Sequence, residues 1–203
     1  GLYQDASGKD WPDNALRFGL LCRVAAAIAA NKAGIDWIPD VVHGNDWHAG
    51  LAAALIAAEG SAGSRPATLF TIHNMAFQGV FPRDSLVRLE LPESIFSPDG
   101  FEYYGQFSFL KAGIRYSDRL TAVSPNYARE ILSPEYGFGL EGLLHSRAEA
   151  LEGVLNGIDH HVWSPSTDND LPVQYDRDDL ASKAVCKAVV QRQLGLDVSA
   201  NKP

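Results

Sequence analysis

The side chains best equipped for chemistry in this 203-residue chain are His43, Asp46 and His48, close together in sequence, and His73 further on. Metal ligation is the first chemistry to test. A zinc site draws about three or four ligands from His, Cys and carboxylates. His43 and His48 lie five apart across an expected strand-to-helix turn, so their rings should diverge, and neither His-x-His nor HExxH occurs. No metal and no cofactor is expected. A serine hydrolase would need a Gly-x-Ser-x-Gly elbow, which is absent. Ser124 precedes Pro125 and reads as a helix cap instead. No Walker lysine is present to cradle phosphate, and the glycines of Gly137-Phe-Gly139 read as a turn.

What remains is a polar set of His, Asp and Asn with Trp47, Phe77, Tyr103 and Tyr104 nearby. That combination suits sugars, whose hydroxyls need neutral donors and acceptors and whose C–H faces pack on aromatic rings. Tyr103 and Tyr104 could equally fill a core, and for Tyr104 core filling is the expectation.

The elements that must position these residues alternate. Trp11-Pro12-Asp13-Asn14 opens a helix with Leu16, Leu20, Val24, Ala27 and Ile28 on its apolar face, and Gly34 can end it. Ile38 to His43 reads as a buried strand, Asp46 as the N-cap that follows, and Trp47 to Ala58 as helix. A loop is expected over 60–66, then a strand from Ala67 to Ile72 with His73-Asn74 at its end. Phe81 to Gly100, broken by Pro82, Pro92 and Pro98, reads as an irregular insertion. Phe107 to Ser117 is helix, Arg119 to Val123 strand, Tyr136 to Gly142 loop, Leu151 to Leu155 strand and Asp178 to Leu194 a last helix.

Such alternation predicts an α/β fold, a parallel sheet with helices on both faces. Ligands of open parallel sheets bind beyond the carboxyl ends of the strands. Four polar turns are expected there: His43 to Asp46, His73-Asn74, Ser124-Pro125 and Asn156 to Asp159.

Bulk properties narrow the partners. The chain is 46% hydrophobic and 21% charged, enough for a packed core. Its net charge of −8, with no basic run, disfavours nucleic acid. The most apolar stretch, Leu20 to Ala30, is short and contains Arg23, so no membrane span is expected. The first ten residues carry no leader pattern, and Cys22 and Cys186 read as buried free thiols of a reducing cytoplasm.

Several segments resemble the ADP-glucose-using glycogen synthases of bacteria and the related starch synthases of plastids. They are Lys9-Asp-Trp-Pro-Asp-Asn-Ala-Leu-Arg-Phe18, Pro39-Asp-Val-Val-His-Gly-Asn-Asp-Trp-His48, Thr71-Ile-His-Asn-Met-Ala-Phe-Gln-Gly79, Ser108-Phe-Leu-Lys-Ala-Gly113, Thr121-Ala-Val-Ser-Pro-Asn-Tyr-Ala-Arg-Glu130, Tyr136-Gly-Phe-Gly-Leu-Glu-Gly142, and Val154-Leu-Asn-Gly-Ile-Asp159 with Trp163-Ser-Pro165. Their order and approximate spacing follow that family over nearly the whole chain. Gly44-Asn45 departs from its commoner Ala-His before Asp46.

The resemblance implies the GT-B architecture, two Rossmann-like domains facing across a cleft. Residues 1–160 would form the later part of the N-terminal catalytic domain, and 161–203 the interdomain crossing and first helix of the next. The implied activity is retaining transfer of glucose from ADP-glucose to an α-1,4-glucan such as glycogen. The same resemblance implies catalytic roles for His73, near the donor 6-hydroxyl, and for Asp46 in the same pocket. It places Asn156 on the donor glucose, with Asn74, Gln78, Tyr103 and Lys111 as substrate-binding residues. The family's Lys-Thr-Gly-Gly-Leu motif and its phosphate-holding second domain do not occur in these 203 residues. The chain is therefore expected to be inactive alone and to need a C-terminal domain for nucleotide binding. Rival readings are a non-catalytic glucan-binding domain and a UDP-glucose-using GT-B transferase.

Overall fold

The computed structural model describes residues 1–59, 65–91 and 93–202. Most of the loop expected over 60–66 lies outside them, as do Pro92 and Pro203. The described chain divides into two compact units, Gly1–Leu155 and Asn156–Pro203.

The first unit is built on a four-stranded parallel sheet. Its strands are β1 (Val41–Asn45), β2 (Ala67–Ile72), β6 (Arg119–Ala122) and β7 (Leu151–Gly153), adjacent in that order. Between β2 and β6 lie β3 (Val80–Phe81), β4 (Glu102–Tyr103) and β5 (Gln106–Ser108), forming a small antiparallel sheet ordered β3-β5-β4. That sheet was not expected. Its strands are two or three residues long, and Val80 meets Ser108 only through a distant pairing, so no local alternation announces it.

Three longer helices support the sheet: α1 (Asn14–Ala29), α2 (Asp46–Glu59) and α4 (Phe109–Tyr116). A short α3 (Ser85–Arg88) lies in the insertion. Beyond β6 come α5 (Pro125–Glu130), α6 (Pro134–Gly137) and α7 (Glu141–Ser146). α2 and α4 pack closely because Gly50 has no side chain. A Cβ there would stand 1.9 Å from the Phe109 carbonyl oxygen.

Alternation in β2 and β6 sends Phe70, Ile72, Leu120 and Ala122 into the core, which Met75, Leu110 and Ile114 complete. Phe18, Cys22, Leu51, Phe101, Phe107 and Phe109 make a second cluster. His43, Thr71 and Thr121 lie in a hydrogen-bonded row, His43 Nε2 to Thr71 Oγ1 at 2.7 Å and Thr71 to Thr121 at 2.6 Å. At the sheet's other end, Arg65 pairs with Asp118, whose carboxylate also accepts from the backbone and hydroxyl of Thr68. The guanidinium holds the Asp118 carboxyl well below the usual carboxylate range.

Four local expectations need correction. The buried face of α1 carries Ala15, Phe18, Gly19, Cys22, Ala26 and Ala29, while Leu20 and Val24 are exposed. The helix is apolar nearly all round, so periodicity alone could not choose its face. β1 starts at Val41, not Ile38, and is an exposed edge strand rather than a buried one. The loop expected over 136–142 begins inside α6 and runs into α7, with left-handed Phe138 and Gly139 between them. Asp46 is not an ordinary cap, since its carboxylate accepts from the backbone after β2.

The second unit holds α8 (Lys183–Gln193), shorter than the helix expected from Asp178. Cys186 is buried and donates to the Val173 carbonyl, and Gln191 is tied to Ser199 through both ends of its amide. Both cysteines are free thiols, and burial pushes Cys22 up to about 12, so it is chemically inert at neutral pH.

Candidate active site

The carboxyl ends of β1, β2 and β6 lie side by side, bringing Asn45-Asp46, His73-Asn74 and Ser124 to one rim. Ser124 is spent on structure. Its hydroxyl accepts from the Tyr127 backbone N–H at 2.9 Å, capping α5 with Pro125 in the first turn.

Asp46 joins the strands. It opens α2 in the left-handed region, with φ of 56°. Its Oδ1 accepts from the backbone N–H of His73 at 2.8 Å and of Asn74 at 3.4 Å. A carboxylate on backbone N–H groups makes a charge-assisted bond, stronger than a neutral one. Asp46 therefore fixes the turn after β2 instead of capping its own helix. Two further bonds shape that turn. Asn74 Oδ1 accepts from the Ala76 N–H at 2.9 Å, and the Tyr127 hydroxyl accepts from the Met75 N–H at 2.9 Å.

The His73 ring is exposed, and its Nε2 lies 3.0 Å from Asn45 Oδ1. With Nε2 donating to that amide oxygen, Nδ1 is free to accept from a ligand hydroxyl. Asn45 is the residue that sequence reasoning missed. The Gly44-Asn45 departure was visible, but nothing local showed that its side chain would meet a histidine 28 positions later.

Beside the rim runs a groove of about 1220 Å³, lined among others by Asp46, Asn74, Phe77, Gln78, Tyr103 and Phe138. His73 is not among its lining residues. Gln78 Nε2 and Tyr103 Oη both donate to the Phe138 carbonyl, at 3.0 and 2.7 Å. Gln78 is buried, and its Oε1 has no hydrogen-bond partner. Burial raises the Tyr103 hydroxyl, so it stays protonated and donating at neutral pH. Gly79 has φ of 56°, and a Cβ on it would meet the Trp47 ring at 2.2 Å. Only glycine suits both constraints.

Lys111 is placed apart from Asp46 and Asn74. Its Nζ donates to the carbonyls of Pro98 at 2.8 Å and Glu102 at 2.6 Å, and it lines a second groove of about 720 Å³. Burial lowers its ammonium pKa. Asn156 is the first residue of the second unit and is exposed. His43 and His48 do diverge. His43 bonds Thr71, whereas His48 stacks on Tyr3 at 4.7 Å beside Trp47 and Phe18, where burial lowers its pKa and favours the neutral ring. Among the described residues no three His, Cys or carboxylate groups gather as a metal site.

A rim of neutral and anionic acceptors beside an aromatic-lined groove can orient a polyhydroxyl ligand. Comparison with known proteins shows the family. A family model described as the starch synthase catalytic domain matches residues 1–146. The chain belongs to that family. It is 55% identical to a glycogen synthase of Burkholderia thailandensis over 100% of this chain and 38% of that protein. A glycogen synthase of Paramagnetospirillum magneticum is 51% identical over 100% of this chain and 41% of its own length. Among solved structures, the catalytic domain of starch synthase IV from Arabidopsis thaliana, bound to ADP and acarbose, superposes with a TM-score of 0.73. It is 28% identical, covering 100% of this chain and 41% of that one. The chain thus spans about two fifths of the length of these starch synthase family members.

The Rossmann-like α/β fold expected from the sequence is the one this family carries. Among the described residues no helix is long and apolar enough to cross a membrane.

Proposed function

We propose that this chain is the sugar-orienting part of a cytoplasmic, retaining glucosyltransferase that extends α-1,4-glucan from ADP-glucose. The observation that carries the reading is the Asp46 carboxylate on the backbone of His73 and Asn74, joining two strand ends at the rim of a parallel sheet. Family membership and the names of the relatives support it. The solved neighbour is bound to ADP and acarbose, a nucleotide and a sugar-like ligand.

On this reading His73 accepts from the donor glucose 6-hydroxyl, and Asp46 holds it in place through the backbone. Asn156 is proposed as a donor-glucose ligand on the family resemblance alone. Asn74 and Gln78 serve the groove, Tyr103 its aromatic wall, and Lys111 the glucan side. The bond broken joins the anomeric carbon to the diphosphate, and the bond formed joins that carbon to the acceptor 4-hydroxyl, whose proton leaves with the diphosphate. An oxocarbenium-like transition state gains from tight placement of both sugars. Cations that stabilise the departing diphosphate belong to the C-terminal domain of the longer protein. Residues 1–160 are the later part of the N-terminal domain and 161–203 the crossing to the next. The 203 residues alone then transfer no glucose.

Glucose incorporation into glycogen by the full-length protein, with ADP-glucose and UDP-glucose side by side, tests this. Robust incorporation from ADP-glucose with little from UDP-glucose is expected. A preference for UDP-glucose would overturn the donor assignment, and no incorporation from either would overturn the transferase reading.

A further inference from the structure

Tyr104 is the residue that the site leaves unexplained. It sits with Gly105 at the two-residue tip of the β4–β5 hairpin, where Tyr103 pairs with Gln106. Both tip residues have positive φ, 49° for Tyr104 and 80° for Gly105, the geometry of a tight hairpin turn. Asn or Gly occupies such a position at little cost, whereas a tyrosine is strained there. The ring gains nothing from burial in return. It is 79% exposed, contrary to the core-filling expectation. A strained backbone carrying an exposed aromatic ring is a reason to look for a ligand.

The surroundings say which ligand. Tyr103 lines both grooves, and its ring meets Tyr104 edge-on, with centroids 4.8 Å apart and planes at 88°. Tyr103 therefore forms a ridge between the groove beside Asp46 and Asn74 and the second groove, and Tyr104 extends it on the second-groove side. In the second groove the cations are already engaged. Lys111 donates to the Pro98 and Glu102 carbonyls, Arg115 to the Asp99 carbonyl at 2.7 Å, and Arg147 to the carbonyls of Arg115 and Ser117 at 3.1 and 2.5 Å. Asp99 and Glu102 add carboxylates to the same walls. An anion would have to compete with those carbonyls and would meet two like charges. A neutral chain of sugars would find aromatic faces for its C–H surfaces and carboxylates for its hydroxyls.

We propose that an α-glucan chain crosses the Tyr103–Tyr104 ridge from the first groove into the second, with Tyr104 as a stacking platform for sugar units remote from the reacting end. The glucan identity rests on the transferase reading, and the continuity of the two grooves through Tyr103 does not.

The test uses the full-length protein and Tyr104→Asn, which keeps a residue tolerant of the left-handed backbone and removes the ring, with Tyr104→Phe as the conservative partner. Aromatic contacts of this kind correspond to about a two- to tenfold change. Tyr104→Asn should raise KM for maltoheptaose by about that factor while kcat, and KM for maltotriose, stay within about twofold of wild type. Tyr104→Phe should behave as wild type. An unchanged KM for maltoheptaose, or an equal rise for both acceptors, would overturn the proposal. Migration of the same proteins through a native gel cast with glycogen gives a readout that needs no transfer. Should wild type transfer from neither donor, the transferase reading fails. Retardation of wild type but not of Tyr104→Asn would still support the platform, and equal migration of the two would overturn it.

Discussion

The groove has two unlike walls. On one, the Asp46 carboxylate grips the backbone of His73 and Asn74. On the other, the Phe138 carbonyl is held by two neutral donors, Gln78 and Tyr103. Charge-assisted hydrogen bonds are roughly twice as strong as neutral ones. The first wall is therefore the stiffer, and the second is the cheaper to displace. On the proposed function the contrast has a purpose. The reacting glucose must be held to a narrow geometry, where a small misplacement is costly in rate. A polymer that shifts by one unit after each transfer is better served by a softer, largely aromatic surface.

The comparison breaks most readily at Asp46. Replacement by Ala in the full-length protein removes the acceptor for two backbone donors, at about 1.5–3 kcal/mol for a hydrogen bond to a charged group. Felt in the transition state, that is roughly a 10- to 150-fold fall in kcat, read by single-donor transfer assays with circular dichroism to confirm folding. A fully active Asp46→Ala would mean that the stiff wall is not needed for transfer. Asn45→Ala should cost less, about fivefold in kcat/KM for the donor, because it deletes one neutral bond to His73. Its effect should vanish when His73 is already Ala, and additivity in that double-mutant cycle would separate the two residues. Smallest is Tyr103→Phe, which leaves Gln78 on the Phe138 carbonyl. A rise of about threefold in acceptor KM with unchanged kcat is expected, and a fall in kcat matching that of Asp46→Ala would erase the distinction between the walls.

The parts of this arrangement that were legible in the sequence are the locally encoded ones. β2 was readable from Ala67 to Ile72 because Pro66 precedes it and a polar turn follows. The Ser124 cap with Pro125 behind it was readable because a cap is a contact over three residues. What escaped depends on distance along the chain. Asp46 has the composition of an N-cap, and only the left-handed backbone and contacts 27 and 28 residues away reveal its other use. The shared Phe138 carbonyl joins positions 78, 103 and 138, and no spacing rule links them. Tyr104 failed for the opposite reason. Burial is the ordinary fate of a tyrosine beside another aromatic, and the hairpin that exposes it is too short to leave a pattern.

The central claim is that the rim at the ends of β1 and β2 orients the transferred sugar, and His73 tests it most directly. Glucose incorporation from ADP-glucose into glycogen would be measured for full-length wild type and His73→Ala at equal folded concentration. The account predicts a fall in kcat/KM of at least about tenfold for the variant, the equivalent of one lost hydrogen bond to a partly charged site. A correctly folded His73→Ala with wild-type turnover would contradict it and remove His73 from the site.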